Sequence, residues 1–329
     1  MLRKPCVLSF LFFAFTLTAI AQDSRHFTFH YAFTVRNLPA GEKVRIWIPA
    51  AQSDAYQEVK MLSVQGDLPL KKTSEPRFGN QIYYAEARGA AQSELHFDVE
   101  YDVVRHERVA LGQTAPRMVS ASLSSAEEQL DLQPDALVPV TGLPADLAVK
   151  VTQGKTQPIE KARAIYEYVF TTMRYDKTGT GWGHGDVLYA CDAKKGNCTD
   201  FHSLFIAMAR SQGIPARFEI GFPLPPDKHT SEIAGYHCWS DFWIDGKGWI
   251  PVDISEAWKH PEKRDYFFGS HDVNRVQFSM GRDLRLNPAQ DGKPLNYFVY
   301  PYMEVDGQEY SNVDLAFSFA DVGSAVAKR

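Results

Sequence analysis

The sequence predicts an α+β protein in which an all-β N-terminal part precedes a part that mixes helices with strands. From His26 to about Leu111, apolar and polar residues alternate, which is typical of half-buried antiparallel strands. Beyond about residue 148, stretches with helical apolar spacing occur between short alternating stretches. These two patterns predict two structural parts, of which the second carries helices.

The N-terminus has the pattern of a secretory signal peptide. Arg3 and Lys4 precede the apolar run VLSFLFFAFTL, and Ala19-Ile20-Ala21 offers small residues for cleavage after Ala21. The run is shorter than the ~20 apolar residues that a membrane span needs. We therefore expect residues 1–21 to be removed and the mature chain to be periplasmic or extracellular, with no membrane span after cleavage.

Composition excludes some partners and raises a question about cysteine. The formal net charge is −5 and no run of Lys or Arg occurs, so nucleic-acid binding is not expected. Cleavage would remove Cys6 and leave Cys191, Cys198 and Cys238. Because this number is odd, at least one thiol has no partner within the chain.

The N-terminal part, residues 22–130, is predicted to be a β-sandwich. Turn signals such as LPAGE at 38–42 separate its alternating stretches, and no helical pattern interrupts them. The apolar faces of three strands comprise Phe27, Phe29, Tyr31, Phe33 and Val35, then Val44, Ile46 and Ile48, then Leu95, Phe97, Val99, Tyr101 and Val103. No polar cluster in this part looks catalytic, so we expect a structural or binding role.

A proline-containing linker is predicted over residues 131–147, followed by a catalytic domain over 148–320 and a tail over 321–329. The stretch PIEKARAIYEYVFTTMRY has helical apolar spacing, and the glycine-rich TGTGWGHGD after it could border a site. Further strands are predicted over 216–222, 236–244, 248–254 and 296–307.

Cys198 is placed where a thiolate would be stabilised. It stands in GNCTDFHSLF at the start of an amphipathic helix, with Asn197 or Thr199 as a possible cap. The first N–H groups of a helix carry partial positive charge, which favours the thiolate. A cysteine nucleophile also needs an imidazole and a group that orients it, and His237 and Asp253 lie on the two strands of one predicted hairpin.

The register of that hairpin provides a test. A two-residue turn on Gly246-Lys247 would place Asp253 opposite Ser240, on the face away from His237. The triad therefore requires an odd-length turn or a bulge, and we predict one.

The stretches GNCTDFHSLFIAMARSQGIPAR, GYHCW and GWIPVD, in this order, resemble the core of the transglutaminase-like superfamily, within the papain-like cysteine enzymes. The resemblance implies a helix bearing Cys198 packed on an antiparallel sheet. It also implies that Cys198 is the nucleophile, His237 the general base and acid, and Asp253 the orienting carboxylate. The N-terminal strands resemble the immunoglobulin-like module that precedes some of these cores.

The same resemblance suggests where the oxyanion is bound. The backbone N–H of Cys198 is one candidate donor, and related enzymes often add a side chain upstream of the cysteine. Trp182 is the candidate for that side chain, and an aromatic residue packed under a loop is the alternative interpretation.

Other polar residues admit structural interpretations. A Cys191–Cys238 disulfide would use the two remaining thiols in an oxidising compartment. A zinc site formed by Cys191, Cys198, His237 and Cys238 is the weaker alternative, since no Cys-x-x-Cys pair is present. We expect Asp200 and His202 to be structural.

The resulting functional prediction is acyl transfer on the amide bonds of a protein or peptide through a thioester, without a metal or organic cofactor. Family resemblance favours hydrolysis by a peptidase or amidase, with cell-wall peptides as one substrate class. The alternatives are a cross-linking transglutaminase and a catalytically silent binding or assembly protein. The sequence indicates no oligomeric state.

Overall fold

The computed structural model describes residues 23–88, 92–112 and 122–323. The predicted signal peptide lies outside the described residues, as does the part of the predicted tail beyond residue 323. Within the described ranges, no helix is both long and apolar enough to cross a bilayer.

Up to residue 109, strands are the regular elements of the described N-terminal residues. Its strands are β1 (Ser24–Val35), β2 (Lys43–Ala50), β3 (Gln57–Gly66), β4 (Lys71–Ser74), β5 (Gln81–Arg88), β6 (Leu95–His106) and β7 (Arg108–Val109).

In the described residues that follow, there are six helices and a 3-10 turn at Pro261–Lys263. The helices are α1 (Ser125–Leu132), α2 (Leu143–Val151), α3 (Pro158–Thr172), α4 (Val187–Ala193), α5 (Cys198–Ser211) and α6 (Ile254–Lys259).

The remaining strands occur between and after these helices. They are β8 (Arg174–Tyr175), β9 (Lys195–Gly196), β10 (Ala216–Pro223), β11 (Thr230–Glu232), β12 (His237–Ile244), β13 (Gly248–Val252), β14 (Ser270–His271), β15 (Arg275–Met280), β16 (Tyr302–Val305), β17 (Gln308–Glu309) and β18 (Val313–Asp321).

Two five-stranded sheets enclose the first part of the core. Their strand orders are β11-β18-β1-β6-β3 and β17-β16-β2-β5-β4. The predicted inward faces of β1, β2 and β6 are all buried, as the period of two requires.

The division into domains differs from the predicted one. Strand β18 pairs with β1 along its whole length, from Phe27 opposite Asp321 to Val35 opposite Val313. Strand β16 likewise pairs with β2, and the predicted strand over 296–307 is reduced to Tyr302–Val305. The C-terminal strands therefore complete the sandwich and do not belong to a domain over 148–320, because alternation marks a strand but not its partner.

The linker predicted over 131–147 also differs from the structure, since the end of α1 and the start of α2 lie within it. Pro144 is tolerated because it stands in the first turn of α2, where its missing N–H would have no intrahelical acceptor.

A four-stranded antiparallel sheet of order β13-β12-β10-β15 supports the helix that carries Cys198. Helix α5 is buried from Cys198 to Arg210 and packs on this sheet, with Phe205 edge-on to Phe242 at 5.9 Å between ring centroids. The fold is therefore the papain-like arrangement of a cysteine-bearing helix on an antiparallel sheet.

The sandwich and this sheet share one apolar core. Phe29 on β1 lies 5.2 Å from Phe222 on β10, and Tyr31 stacks on Phe278 of β15 at 5.5 Å. These aromatic contacts join the sandwich to β10 and β15 of the four-stranded sheet.

Candidate active site

Cys198 is the first residue of α5, and Asn197 caps the helix. Asn197 Oδ1 accepts a hydrogen bond from Thr199 N at 2.9 Å, and Asp200 Oδ2 accepts one from Asn197 N at 2.9 Å. This reciprocal pair is a capping box, and it confirms Asn197 as the cap. The sulfur thus lies beside the positive end of the helix, with only 1% of the residue exposed.

Asp200 also fixes the glycine-rich loop to the start of the helix. Its two carboxylate oxygens accept hydrogen bonds from Gly183 N at 2.7 Å and Gly185 N at 3.0 Å. Both glycines have positive φ values, +87° and +61°, which turn their N–H groups inward at no steric cost. Asp200 therefore has the geometry of a structural residue.

We expect Asp200→Ala to lower the free energy of unfolding by about 3 kcal/mol, because three buried N–H groups would lose their acceptor. Urea unfolding measures this loss. The matched control is Asp186→Ala, which removes a partly buried N-cap bonded to Leu188 N and Tyr189 N and should cost only about 1 kcal/mol. Equal losses in the two variants would contradict the role given to Asp200.

The hairpin that carries His237 has an odd-length turn, as predicted. Ile244 pairs with Gly248 and Ser240 with Val252, so the loop comprises the three residues 245–247. Continuing this register places Asp253 across from Trp239, on the same face as His237.

His237 and Asp253 form a buried pair. His237 Nε2 donates to Asp253 Oδ2 at 2.7 Å. The other carboxylate oxygen, Oδ1, accepts from Glu256 N at 3.1 Å and from Ser255 Oγ at 3.2 Å, so Asp253 also caps α6. The orientation of the carboxylate is therefore set by the backbone and not by His237 alone.

Arg275 on β15 is a further member of the site that sequence reasoning missed. Its Nη1 donates to Asp253 Oδ2 at 2.9 Å, and its guanidinium lies 4.8 Å from the Trp239 ring centroid. Burial alone would raise the pKa of Asp253, but the charges of His237 and Arg275 hold it well below its usual value. No sequence motif marks Arg275.

Cys198 and His237 share a side-chain hydrogen bond. Since Nε2 of His237 donates to Asp253, Nδ1 is the nitrogen left for the hydrogen bond with the Cys198 thiol. Burial opposes ionisation of Cys198, but hydrogen bonds from Cys238 and His237 and the imidazolium charge hold its pKa well below the ordinary value. Burial also disfavours the imidazolium, yet Asp253 raises the pKa of His237 to about 10. The site therefore favours a thiolate–imidazolium pair at neutral pH.

His202 connects the cysteine helix to the aspartate segment. Ile254 N donates to His202 Nε2 at 3.0 Å, so Nδ1 carries the proton and donates to the Cys198 carbonyl oxygen at 2.8 Å. Burial lowers the pKa of His202, which keeps the ring in this neutral form. It is a positioning residue, in line with the structural role expected for it.

Tyr236 joins the start of β12 to the helix cap. Its hydroxyl accepts from Asn197 Nδ2 at 3.0 Å and lies 2.9 Å from Thr199 Oγ1. Because Tyr236 directly precedes His237, this contact fixes the distance between the helix start and the strand that carries the imidazole.

The oxyanion role considered for Trp182 is not supported by the geometry. The indole Nε1 donates to the carbonyl oxygen of Gly179 at 3.1 Å, within its own loop. Gly179 and Gly181 have positive φ values, so the loop turns back on itself and provides this acceptor. The backbone N–H of Cys198 remains as the candidate donor.

The disulfide considered between Cys191 and Cys238 does not form, since all three described cysteines are free. Cys191 lies on α4, whereas Cys238 Sγ is 3.6 Å from Thr199 Oγ1 at the start of α5. Burial raises the pKa of Cys191 to about 11 and that of Cys238 well above its ordinary value. Nor does the alternative zinc site form, because no group of three or more His, Cys, Asp or Glu among the described residues could hold a metal ion.

A groove of about 570 Å³ opens beside His237. Its lining includes Tyr175, Pro223, Tyr236, Lys259, Phe267 and Arg275. This volume falls in the range that proteins use for ligand binding, and the groove leads directly to the imidazole.

Comparison with known proteins locates the family resemblance. Residues 145–254 match the transglutaminase-like superfamily. An uncharacterised protein of Haemophilus influenzae is 28% identical over 326 aligned positions, which cover 88% of this chain and 87% of the relative. The uncharacterised protein YebA of Bacillus subtilis is 24% identical over 129 positions, covering 35% of this chain and 18% of YebA.

The fold also has a counterpart among solved structures. The crystal structure of a proposed cysteine protease from Cytophaga hutchinsonii superposes with a TM-score of 0.62 at 17% identity and covers 91% of each chain. Since the coverage is 91% of both chains, the likeness extends over the sandwich as well as the cysteine-bearing core.

Proposed function

Because residues 145–254 belong to the transglutaminase-like superfamily, we propose that the protein is an exported cysteine enzyme that hydrolyses amide bonds of proteins or peptides through a thioester. The observation that carries this proposal is the buried series Cys198, His237 and Asp253, with the 2.7 Å bond between the last two. Export is supported by the signal-peptide pattern of residues 1–21.

The chemistry follows from the charges of the pair. The Cys198 thiolate attacks the amide carbonyl carbon, and the carbonyl oxygen becomes an oxyanion beside the N-terminus of α5. The His237 imidazolium then gives its proton to the leaving nitrogen, the C–N bond breaks and an amine departs. Neutral His237 next takes a proton from water, whose oxygen attacks the thioester, and the carboxylic acid is released as the thiolate reforms.

The groove supports a polypeptide substrate. It opens beside His237 and is lined by apolar and aromatic side chains interspersed with charged residues of both signs, a composition that suits an extended peptide. The groove admits water to His237, the residue proposed to activate it, and the family resemblance favours hydrolysis over transfer to a second amine.

The deciding experiment is incubation of the purified chain with an unstructured protein, with cell-wall peptide fragments and with a fluorescent primary amine. Hydrolysis predicts new termini or released ammonia without fluorescent product. Fluorescent protein would instead assign transamidation. If neither product forms although Cys198 is an activated thiol, the protein belongs to the catalytically silent binding class.

The activated thiol can be tested without a substrate. We expect iodoacetamide to alkylate one thiol rapidly at pH 6–7, because the pKa of Cys198 lies well below the ordinary cysteine value of about 8.5. The alkylation rate should drop as pH falls through the depressed pKa of Cys198. Above about pH 10, His237 loses its proton, and the imidazolium charge that stabilises the thiolate is removed. Alkylation is followed by mass spectrometry across pH.

The other two thiols provide an internal reference. Since the pKa values of Cys191 and Cys238 are raised, both should react slowly at pH 7. Rapid labelling that persists in Cys198→Ser, or a wild-type profile with an ordinary cysteine pKa, would contradict the proposed pair.

A further inference from the structure

A second pocket lies at the turn end of the β12–β13 hairpin, between the end of β6 and the four-stranded sheet. Its volume is about 240 Å³, and it shares no lining residue with the groove beside His237. Its walls include the aromatic residues Tyr56, Trp243 and Trp249. At about 30 Å³ per water molecule, the space equals roughly eight waters, which is the size of a small organic molecule.

Arg105 breaks the pattern of the strand that leads into this pocket. The inward positions of β6 are apolar from Leu95 to Val103, and Arg105 takes the next inward position with 2% of its surface exposed. A long cation at a core position is costly unless it is paired. Such a violation of a strand's pattern often marks a functional site.

Arg105 has little to compensate its charge. Its Nη1 donates to Gln57 Oε1 at 3.3 Å, while its Nε has no partner. Gln57 is also bonded to the backbone of Gln52 and Gln277, so its orientation is fixed. In the described part of the chain, no carboxylate lies within 4.0 Å of the Arg105 guanidinium.

The nearby carboxylates are already engaged by other groups. Asp241 accepts from Arg108 Nη1 at 2.9 Å and from Arg217 Nη2 at 3.0 Å. Asp54 Oδ1 accepts from the backbone N–H groups of its own turn, at 2.6 Å and 2.8 Å, and the Asp54 charge acts on Arg105 only from beyond ion-pair distance.

Glu219 is held in the same way, with Oε1 2.9 Å from Arg217 Nη2 and Oε2 accepting from Trp239 Nε1 at 2.7 Å. Burial lowers the pKa of Arg105 to about 10, because the charges of Asp54 and Glu219, which act in the opposite direction, do not offset it. The charge left over at the pocket is thus positive.

Two neighbouring arginines support the aromatic walls of the pocket, and their charges are already paired with carboxylates. The Arg108 guanidinium lies 4.7 Å from the Tyr56 ring centroid, and that of Arg217 lies 4.1 Å from the Trp249 ring centroid. These cation–π contacts hold the aromatic rings in place. The pocket therefore combines a buried cation with rigid aromatic walls.

We propose that this pocket binds a small organic carboxylate, whose charged group pairs with Arg105 and whose apolar body lies between Tyr56, Trp243 and Trp249. A guanidinium matches a carboxylate in a bidentate geometry, and flat aromatic walls suit a flat or branched hydrocarbon body. The site is independent of the amide-cleaving function proposed for Cys198.

The test compares ligands that differ only in charge. Benzoate, phenylacetate and butyrate should each raise the melting temperature of the wild-type protein saturably and alter tryptophan fluorescence, whereas the corresponding neutral amides should not. Sulfate, an anion without an apolar body, should bind at least tenfold more weakly than benzoate. If no carboxylate exceeds its amide in the wild-type protein, the proposal is overturned.

Arg105→Met identifies the residue. This variant should lose the carboxylate-induced shift and, in the absence of ligand, be at least as stable as the wild type, because an unpaired buried cation is removed. The matched control is Arg45→Met. Arg45 is also buried and stacks on Trp47 at 4.5 Å, but it pairs with Glu304 at 3.0 Å.

Arg45→Met should lower stability and keep the carboxylate response. A full response in Arg105→Met, or a loss of response in both variants, would reject Arg105 as the binding group. The charge comparison in the wild-type protein decides the matter even if a variant folds poorly.

Discussion

Replacing Cys198 by alanine is expected to abolish amide-bond cleavage, with kcat/KM falling by a factor on the order of 10⁵. The thioester cannot form without this sulfur. Cys238 cannot substitute for it, because it is buried and burial holds its pKa well above the ordinary value, so it stays a thiol. The measurement is initial rate on the substrate identified by product analysis, together with a search for an acylated Cys198 by mass spectrometry.

The control for this prediction is Cys191→Ala. Cys191 lies on α4, and burial raises its pKa to about 11, so it belongs to no nucleophilic pair. This variant should retain wild-type rates within twofold. Substantial turnover by Cys198→Ala with intact far-UV circular dichroism would exclude a thioester mechanism.

The local patterns of the sequence predict Cys198, His237 and Asp253 as the candidate site. Cys198 was identifiable because a polar capping sequence and helical apolar spacing meet at it, and both features act over a few residues. The relation of His237 to Asp253 was predictable because side chains alternate along strands and a hairpin has few turn lengths. The odd-length turn was thus a deduction from geometry, and the register confirms it.

Features that depend on distant pairing could not be predicted in this way. Arg275 contacts Asp253 only because β15 joins the sheet beside β10, and nothing local in RVQFSM specifies that neighbour. The return of β18 to β1 joins segments almost 300 residues apart, so alternation indicated a strand but not its sheet.

The direction of the Trp182 indole could not be predicted without the backbone geometry of its loop. An indole in a glycine-rich loop can point in many directions, and the positive φ values of Gly179 and Gly181 decide that its N–H meets a carbonyl of the same loop. The unformed Cys191–Cys238 disulfide has a similar cause, since cysteine count and compartment say nothing about the helix on which each thiol lies.

Arg275 and His202 together explain why Asp253 is the most strongly fixed group of the site. One oxygen meets His237 and Arg275, and the other meets the start of α6, where His202 accepts from Ile254 N. A change at Asp253 therefore alters both the protonation and the position of the imidazole.

Asp253→Asn is expected to lower kcat by a factor on the order of 10³–10⁴ while leaving the fold intact. The asparagine side chain has the same shape, but it carries no charge to stabilise the imidazolium. The pKa of His237 should fall from about 10, and the pKa of Cys198 should rise toward its ordinary value as the imidazolium is lost. Iodoacetamide labelling of Cys198 at pH 6–7 should slow in parallel with kcat, which a purely structural defect would not produce.

Stability provides the second measurement for Asp253→Asn. Because the pKa of Asp253 in the folded protein lies below the unfolded value of about 3.9, its contribution is present above pH 4 and is lost as pH falls through the folded value. The stability difference between wild type and variant should thus be constant at pH 6–8 and shrink in acid.

The matched control is Asp135→Asn, which removes a buried carboxylate bonded to Arg210 at 2.7 Å, outside the site. It should cost stability without changing the labelling profile of Cys198. If Asp253→Asn leaves that profile unchanged as well, Asp253 does not control the imidazolium, and the role assigned to it is wrong.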